Sequence, residues 1–136
     1  MTVAERIKAE EGWSAHVYPD SLGYATIGYG FLIDGRRGEG LPLVVAEFWL
    51  DYLLTKIRDE LATRWPPFSA QPIDVRGALM EMAYQMGVDG VLGFQRMLAA
   101  LERGDRAMAA ADALDSVWHA QTPARCERVA ALIRGT

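Results

Sequence analysis

The sequence predicts an α+β fold, in which a small N-terminal lobe with a short antiparallel sheet is joined by one long helix to an all-helical C-terminal lobe. Three observations carry this prediction: a helical pattern that stops at a glycine, a following segment rich in glycine, aromatic and β-branched residues, and apolar residues at helical spacing over the remainder. The 136 residues fit a single domain with two lobes. We place the first lobe at about 12–41, the bridging helix at about 42–65, and the helical lobe at about 72–136 together with the N-terminal helix 2–11.

The first helix is marked at both ends. Thr2 and Glu5 form a T-x-x-E capping box, which is typical of a helix start. The helical period then runs until Gly12 stops it. Glu11 is therefore expected in the last helical turn.

A small sheet is predicted after this helix. Aromatic and β-branched residues surround the turn-forming DSLG at 20–23, and YATIGYGFLI at 24–33 continues the pattern, which predicts two or three short antiparallel strands. The segment DGRRGEG at 34–40 is rich in glycine and charge and predicts a turn or mobile loop.

Pro42 opens a long helical run with one apolar face that is expected to lie in the core. Further apolar residues near its start lie on the other side, so we expect this helix to contact two packing units. After the breaker WPPFSAQP at 65–72, helices are predicted near 73–87, 91–103, 105–115 and 123–134. The expected core face is Leu43, Ala46, Leu50, Leu53, Ile57, Leu61 and Trp65, and the additional apolar residues are Val45, Phe48, Trp49 and Tyr52.

Composition excludes several classes of function. The net charge is −4 and the basic residues are scattered, so nucleic-acid binding is not expected. No segment approaches the roughly 18 apolar residues of a membrane span, and the start lacks the pattern of a secretory signal, so we expect accumulation in the cytoplasm without stable membrane insertion. The lone Cys126 cannot form an internal disulfide. His16 and His119 lack metal-ligand spacing, so neither metal nor cofactor is expected.

Three residues of the first lobe suit the cleavage of a sugar polymer. That chemistry needs one carboxyl group that holds a proton, a second that stays ionised, and a polar group that places water. Glu11, Asp20 and Thr26 supply these groups. Residue type alone leaves structural alternatives open: Glu11 as a solvated helix residue, Asp20 as the start of a turn, and Thr26 as an ordinary strand residue.

Three separated segments in the same order carry a family resemblance: EEGWSAHVYPDSLGYATIGYGFLI at 10–33, ALMEMAYQMGVDGVLGF at 78–94 and SVWHAQTPARCERV at 116–129. With them the chain resembles the phage-type lysozymes of glycoside hydrolase family 24, the T-even phage lysozyme-like endolysins. The resemblance implies a lysozyme-like fold. It also implies a muramidase that cleaves the β-1,4 bond between N-acetylmuramic acid and N-acetylglucosamine in peptidoglycan.

The same resemblance assigns roles in the reaction. Glu11 matches the catalytic acid, and burial near the lobe junction is expected to favour its protonated form. Asp20 matches the ionised second carboxyl group, and Thr26 the residue that holds the attacking water. This implies inversion of configuration, for which the two carboxyl groups are expected to be about 6.5–9.5 Å apart.

Further matches fall in the helical lobe. Arg125 matches an arginine that pairs with the catalytic glutamate across the lobes and is expected to orient it, the alternative being a solvated arginine. Gln85 and Trp118 match residues that support the cleft, although a purely structural role remains open for both and Trp118 could serve only as core. Substrate contact is implied for Leu32, Tyr84, Gln85, Met97 and Asp112.

Two departures from the family stand out. Phe31 replaces a histidine that forms a stabilising ion pair in other members, so apolar packing is expected there instead. The chain is also acidic, whereas well-known members are basic, so electrostatic steering to an anionic wall should be weak.

The resemblance implies a monomeric endolysin for host cell lysis. It would stay in the host cytoplasm and reach the peptidoglycan after a holin has permeabilised the membrane. Two alternatives remain: a glycan-binding or tail-associated wall-recognition module that does not cut, and a transglycosylase that forms an anhydro product without water.

Overall fold

A computed structural model describes residues 1–135 and confirms the predicted α+β, lysozyme-like architecture. Over this range the chain forms seven α-helices, one short 3-10 helix and a three-stranded antiparallel sheet in the order β1-β2-β3. The elements are α1 (Val3–Glu11), β1 (Ser14–Pro19), β2 (Ala25–Gly28), β3 (Phe31–Leu32), α2 (Leu43–Arg64), the 3-10 helix (Pro66–Ala70), α3 (Ile73–Leu92), α4 (Gln95–Glu102), α5 (Arg106–Leu114), α6 (Val117–Gln121) and α7 (Pro123–Arg134).

The chain divides into two compact units, residues 1–50 and the residues from Asp51 onward, and α2 begins in the first and ends in the second. The lobe boundaries proposed from the sequence, including the grouping of the first helix with the helical lobe, stay predictions. None of the helices in the described range is long and apolar enough to cross a membrane.

The predicted capping box fixes the start of α1. The Thr2 hydroxyl accepts a hydrogen bond from the Glu5 amide at 3.1 Å, and the Glu5 carboxylate accepts one from the Thr2 amide at 2.6 Å. Gly12 ends the helix with φ 70°, a backbone conformation that favours glycine. Glu11 is therefore the last helical residue, as predicted.

The three-stranded sheet of the first unit follows α1 directly in the sequence. Ser14 pairs with Gly28 and Tyr18 with Thr26, with an irregular register between them, and Thr26 in turn pairs with Leu32 of β3. Thr26 thus lies on the central strand and is buried.

The segment after β3 forms the predicted turn, which is tied down by Asp34. Its carboxylate accepts hydrogen bonds from the Arg36 guanidinium at 2.7 and 2.9 Å and from the Ala25 amide at 3.3 Å. The hydrogen bonds from Arg36 hold the pKa of the Asp34 carboxyl group well below its usual range. Gly38 closes the turn so tightly that a Cβ atom there would lie 2.6 Å from the Leu32 carbonyl oxygen.

The second unit contains the hydrophobic core. Arg106 links three of its helices, since it donates to Asp74 of α3 at 2.6 Å and to the Ile133 carbonyl of α7 at 2.8 Å. The hydrogen bond from Arg106 lowers the pKa of the Asp74 carboxyl group. The largest fully buried side chains are Leu61, Leu79, Met82, Met97, Ile133, Val75, Val91, Val129 and Cys126.

The four tryptophans divide evenly between exposed and buried positions. Trp13 is 67% exposed and Trp49 51%, whereas Trp65 is 7% exposed and Trp118 6%. Both buried indoles have a hydrogen-bond acceptor, because Trp65 donates to Glu102 at 2.9 Å and Trp118 to Gln85 at 3.0 Å. The burial of Trp118 fits the core role that the sequence left open for it.

The predicted packing of α2 is wrong over its first half. Leu61 is the only buried residue of this helix, and Trp65, just beyond its end, is buried too. Helical spacing shows which residues share a face, but it does not show which turns of that face are covered. The apolar residues that the sequence placed in the core or against a second packing unit, and that are exposed instead, are Leu43, Val45, Phe48, Trp49, Leu50 and Tyr52.

Some helix boundaries also differ from the prediction. Gly87 has φ 80° and breaks the helical conformation as expected, but the helix resumes and α3 continues to Leu92. The next helix begins at Gln95 instead of near residue 91. The sequence analysis also did not predict α6, a five-residue helix that Ser116 caps by accepting from the His119 amide at 3.2 Å.

Candidate active site

One pocket in the first unit brings together four residues that the sequence predicted for the site. Glu11 from the end of α1, Asp20 from the turn after β1, Thr26 from β2 and Leu32 from β3 line a cavity of about 380 Å³. The rest of its wall consists of Tyr18, Leu22, Gly30 and Arg37. The catalytic trio named from the sequence therefore shares one crevice.

Glu11 lies at this pocket because the backbone opposite carries no side chain. A Cβ atom on Gly30 would lie 2.6 Å from Oε2 of Glu11 and would displace this carboxylate, and the φ of 75° at Gly30 favours glycine. A second, shallower cavity of about 270 Å³ continues past Glu11 and Tyr18 to Trp13.

The predicted burial of Glu11 is not found. The residue is exposed, because it ends a helix that has no buried residue. Gly30 leaves room for the carboxyl group at the pocket, and the side chains of the first unit do not shield it from water.

Asp20 serves the turn and also faces the pocket. Its Oδ1 atom accepts hydrogen bonds from the amides of Leu22 and Tyr24, both at 2.9 Å. The structural alternative considered for this residue, a turn started by a side-chain bond to the backbone, is therefore real. The turn uses Oδ1 of the carboxylate, and Oδ2 takes no part in it.

The Thr26 hydroxyl is oriented by the backbone. Thr26 is 4% exposed, and its Oγ1 donates a hydrogen bond to the Tyr24 carbonyl at 2.9 Å. Because the single hydroxyl proton is used there, the oxygen presents lone pairs to any further partner. A water molecule at Thr26 would consequently donate to it.

In the second unit, Gln85 is held by two partners. Its Oε1 accepts from the Trp118 indole at 3.0 Å and its Nε2 donates to the Thr122 hydroxyl at 3.3 Å. An indole can only donate, so the amide orientation is fixed, and the exposed Gln85 keeps one N–H free. Phe94 packs edge-on against Trp118 at 6.2 Å between ring centroids.

Arg125 has a carboxylate partner within its own unit. Its Nε lies 3.5 Å from Oε1 of Glu81, and Arg128 approaches the same oxygen at 3.8 Å. Its pairing with Glu11 stays a prediction.

The remaining substrate-contact candidates differ in environment. Met97 and Asp112 border a cavity of about 540 Å³ in the second unit, together with Phe94, Arg96 and Asp115. Met97 is fully buried, which fits a packing role, and its contact with substrate stays a prediction. Tyr84 of α3 is 51% exposed. Phe31 is also largely exposed, at 57%, and meets Tyr29 edge-on at 6.3 Å between ring centroids.

Four pocket residues were not predicted from the sequence: Tyr18, Leu22, Gly30 and Arg37. Tyr18 looked like an ordinary strand aromatic, and Gly30 like one of several turn glycines. Arg37 lay in a segment interpreted from its composition alone, where two adjacent arginines gave no signal to separate them. Within residues 1–135, no group of three or more His, Cys, Asp or Glu side chains could hold a metal ion.

Comparison with known proteins identifies relatives along the whole chain. The phage lysozyme family model matches residues 8–134. The pre-baseplate central spike protein Gp5 of Enterobacteria phage T4 is 32% identical over 98% of this chain, which spans 28% of that protein's length. Probable T4-type lysozymes 1 and 2 of Dictyostelium discoideum are 27% and 25% identical over 97% and 94% of this chain and 93% and 91% of their own lengths.

Proposed function

Because this chain belongs to the phage lysozyme family, a family of peptidoglycan hydrolases, we propose that it cleaves the glycan of the bacterial cell wall. The bond is the β-1,4 link between N-acetylmuramic acid and N-acetylglucosamine, and it is cleaved with inversion. The observation that carries this proposal is the pocket that Glu11, Asp20 and Thr26 share. Its volume of about 380 Å³ lies in the range of ligand sites.

Glu11 acts as the general acid. Its carboxyl proton passes to the glycosidic oxygen while the bond from that oxygen to the anomeric carbon breaks. Because Glu11 is exposed in the free protein, a bound sugar displaces water from around its carboxyl group.

Asp20 and Thr26 act on the other face of the sugar ring. The free oxygen of Asp20 stabilises the positive charge that develops at the anomeric carbon and takes a proton from the attacking water. The lone pairs of the Thr26 hydroxyl accept the other hydrogen of that water, because the hydroxyl proton is engaged by Tyr24. Water then attacks the anomeric carbon opposite the leaving group.

A pair of neighbouring substitutions tests the role of Glu11. Glu11→Gln removes the acid, whereas Glu10→Gln makes the same change one residue earlier, at an exposed position outside the pocket wall. We expect Glu11→Gln to lose wall hydrolysis by a hundredfold or more while wall binding is retained, and Glu10→Gln to remain close to wild type. If Glu11→Gln hydrolyses the wall as fast as the wild type, another residue is the acid.

Product analysis tests the reaction type. Muropeptides released by the wild-type protein are analysed by mass spectrometry for cleavage position and by NMR for the first anomer formed. Inversion gives the α anomer from a β link. A purely anhydro product would instead mean transglycosylation and would remove the role of Thr26.

We further propose that the protein is a monomeric endolysin, which waits in the host cytoplasm until a holin opens the membrane. One comparison favours a second role. Gp5 of Enterobacteria phage T4 is a central spike protein, and this chain spans 28% of the length of Gp5. As part of a tail spike, the same enzyme would open the wall during entry. Mass spectrometry of purified virions separates the two roles, since a spike component is present in the particle and an endolysin only in the lysate.

A further inference from the structure

We propose that Arg37 binds a carboxylate on the muramic acid side of the substrate and so sets which sugar occupies the pocket. This inference rests on the proposed function and adds a specificity residue to it. Of the four basic side chains in residues 1–50, only Arg37 lines the pocket that contains Glu11 and Asp20.

The turn holds Arg37 in place. Its amide donates to the Asp34 carbonyl at 3.1 Å, and the next residue, Gly38, is packed against the backbone at Leu32. The guanidinium carbon lies 5.4 Å from the centroid of the Tyr24 ring, within the range of a cation–π contact. A side chain positioned in this way loses less conformational entropy when it binds a ligand.

Arg36 and Arg37 are adjacent but differ in what they bind. Arg36 is engaged by Asp34 at 2.7 Å and also donates to the Gly23 carbonyl at 3.3 Å. Arg37 takes part in none of the ion pairs found among the described residues, and it is exposed. Its five donors are therefore available to a ligand.

The chemistry of the substrate identifies the group that Arg37 would bind. N-acetylglucosamine carries no charge, whereas muramic acid carries a lactyl ether that is either a free carboxylate or the attachment point of a peptide with carboxylates of its own. A guanidinium can pair with a carboxylate through two parallel hydrogen bonds. Arg37 would thus favour the muramic acid side over the neutral sugar.

The test measures ligand binding with hydrolysis blocked. In a Glu11→Gln background, calorimetry gives the affinity for soluble muropeptide tetrasaccharides with free carboxylates and for the same compounds after amidation. Arg37→Gln should weaken binding of the free-carboxylate ligand about tenfold and that of the amidated ligand less than twofold. Arg37→Lys keeps the charge but loses the paired geometry. Its affinity for the free-carboxylate ligand should therefore lie between those of the wild type and Arg37→Gln.

Lys56→Gln provides the matched control. It removes one exposed positive charge from α2, outside the pocket wall, and should change neither affinity. Circular dichroism of every variant checks that the fold is retained. An equal loss on both ligands, no loss on either, or no detectable binding before substitution would each overturn the proposal.

A third ligand identifies the source of the carboxylate. Peptide-free tetrasaccharides, prepared with an amidase, retain only the lactyl carboxylate. If they keep the tenfold effect, the lactyl group is the partner, and if they lose it, the peptide stem is. Failure of the proposed function is distinguishable, because it would appear as absent wall hydrolysis by the wild-type protein.

Discussion

Asp20 shows how a single side chain can satisfy a structural and a chemical requirement together. Two backbone amides occupy Oδ1 and hold the turn after β1, so the carboxylate is oriented before any ligand arrives. Preorganised groups of this kind contribute to catalysis because they need not rearrange during the reaction. The sequence offered the turn and the catalytic role as alternatives, and the structure allows both.

Substitutions at Asp20 should separate these two roles. In Asp20→Asn the amide oxygen can still accept from Leu22 and Tyr24, so we expect stability near wild type with hydrolysis reduced on the order of a hundredfold or more. In Asp20→Ala both turn bonds are lost, which should cost about 1 kcal/mol for each bond. Thermal unfolding and muropeptide release measure the two effects, and equal stability of both variants would contradict the structural role.

Gly30 is predicted to matter for activity although it has no side chain. Gly30→Ala forces a Cβ atom toward the Glu11 carboxylate and strains a backbone with φ 75°. We expect hydrolysis to fall about tenfold or more and stability to fall by about 1 kcal/mol. Gly40→Ala is the control, because Gly40 has φ 79° but open space around it, so it should lose stability and keep activity.

Met97 can be assigned to core or substrate contact by two substitutions. As a fully buried residue, Met97→Ala should cost about 2–5 kcal/mol, whereas Met97→Leu preserves volume and should cost less than about 1.5 kcal/mol. If packing is its role, Met97→Leu keeps the KM for muropeptides. A raised KM with normal stability would instead support the substrate contact inferred from the family resemblance.

At the scale of elements, local signals were the reliable ones. The capping box and Gly12 placed both ends of α1, and the periodicity placed α2 to within one residue at each end. Burial of α2 was not predictable in the same way, because coverage of a helix depends on distant residues. The short α6 was not predicted, because five residues give too little periodicity to recognise a helix.

The turn after β3 should give a distinct dependence of stability on pH. The pKa of Asp34 is lowered in the folded state, so the Asp34–Arg36 contact stabilises the fold above the unfolded pKa of about 4 and is lost as pH falls through the folded value. We therefore expect Asp34→Asn to be less stable than wild type at pH 7 and to lose stability less steeply below pH of about 4. Denaturant unfolding from acidic to neutral pH measures this.

Asp51→Asn is the control for that measurement. Asp51 is exposed on α2 and belongs to none of the ion pairs among the described residues, so the variant should retain the acid dependence of the wild type. A parallel pH profile of Asp34→Asn and wild type would contradict the role assigned to the turn.

The whole molecule is acidic, which should affect its approach to the wall. A net charge of −4 repels an anionic polymer at long range, and the range of this repulsion shrinks from about 30 Å at 10 mM salt to about 8 Å at 150 mM. We expect hydrolysis of intact walls to rise a few-fold over this interval, whereas binding of small muropeptides through Arg37 should weaken. Turbidity and calorimetry give the two responses, and a steady fall of wall hydrolysis with salt would contradict the argument.

The distribution of tryptophans makes the protein its own optical reporter. Trp65 and Trp118 lie in the apolar interior of the second unit, so their emission will shift to longer wavelength when that unit melts. Trp13 is in contact with solvent and lines the cavity beside Glu11, so a saccharide bound there will change its quenching without unfolding anything. Fluorescence from a single unlabelled sample can thus distinguish loss of structure from occupancy of the crevice.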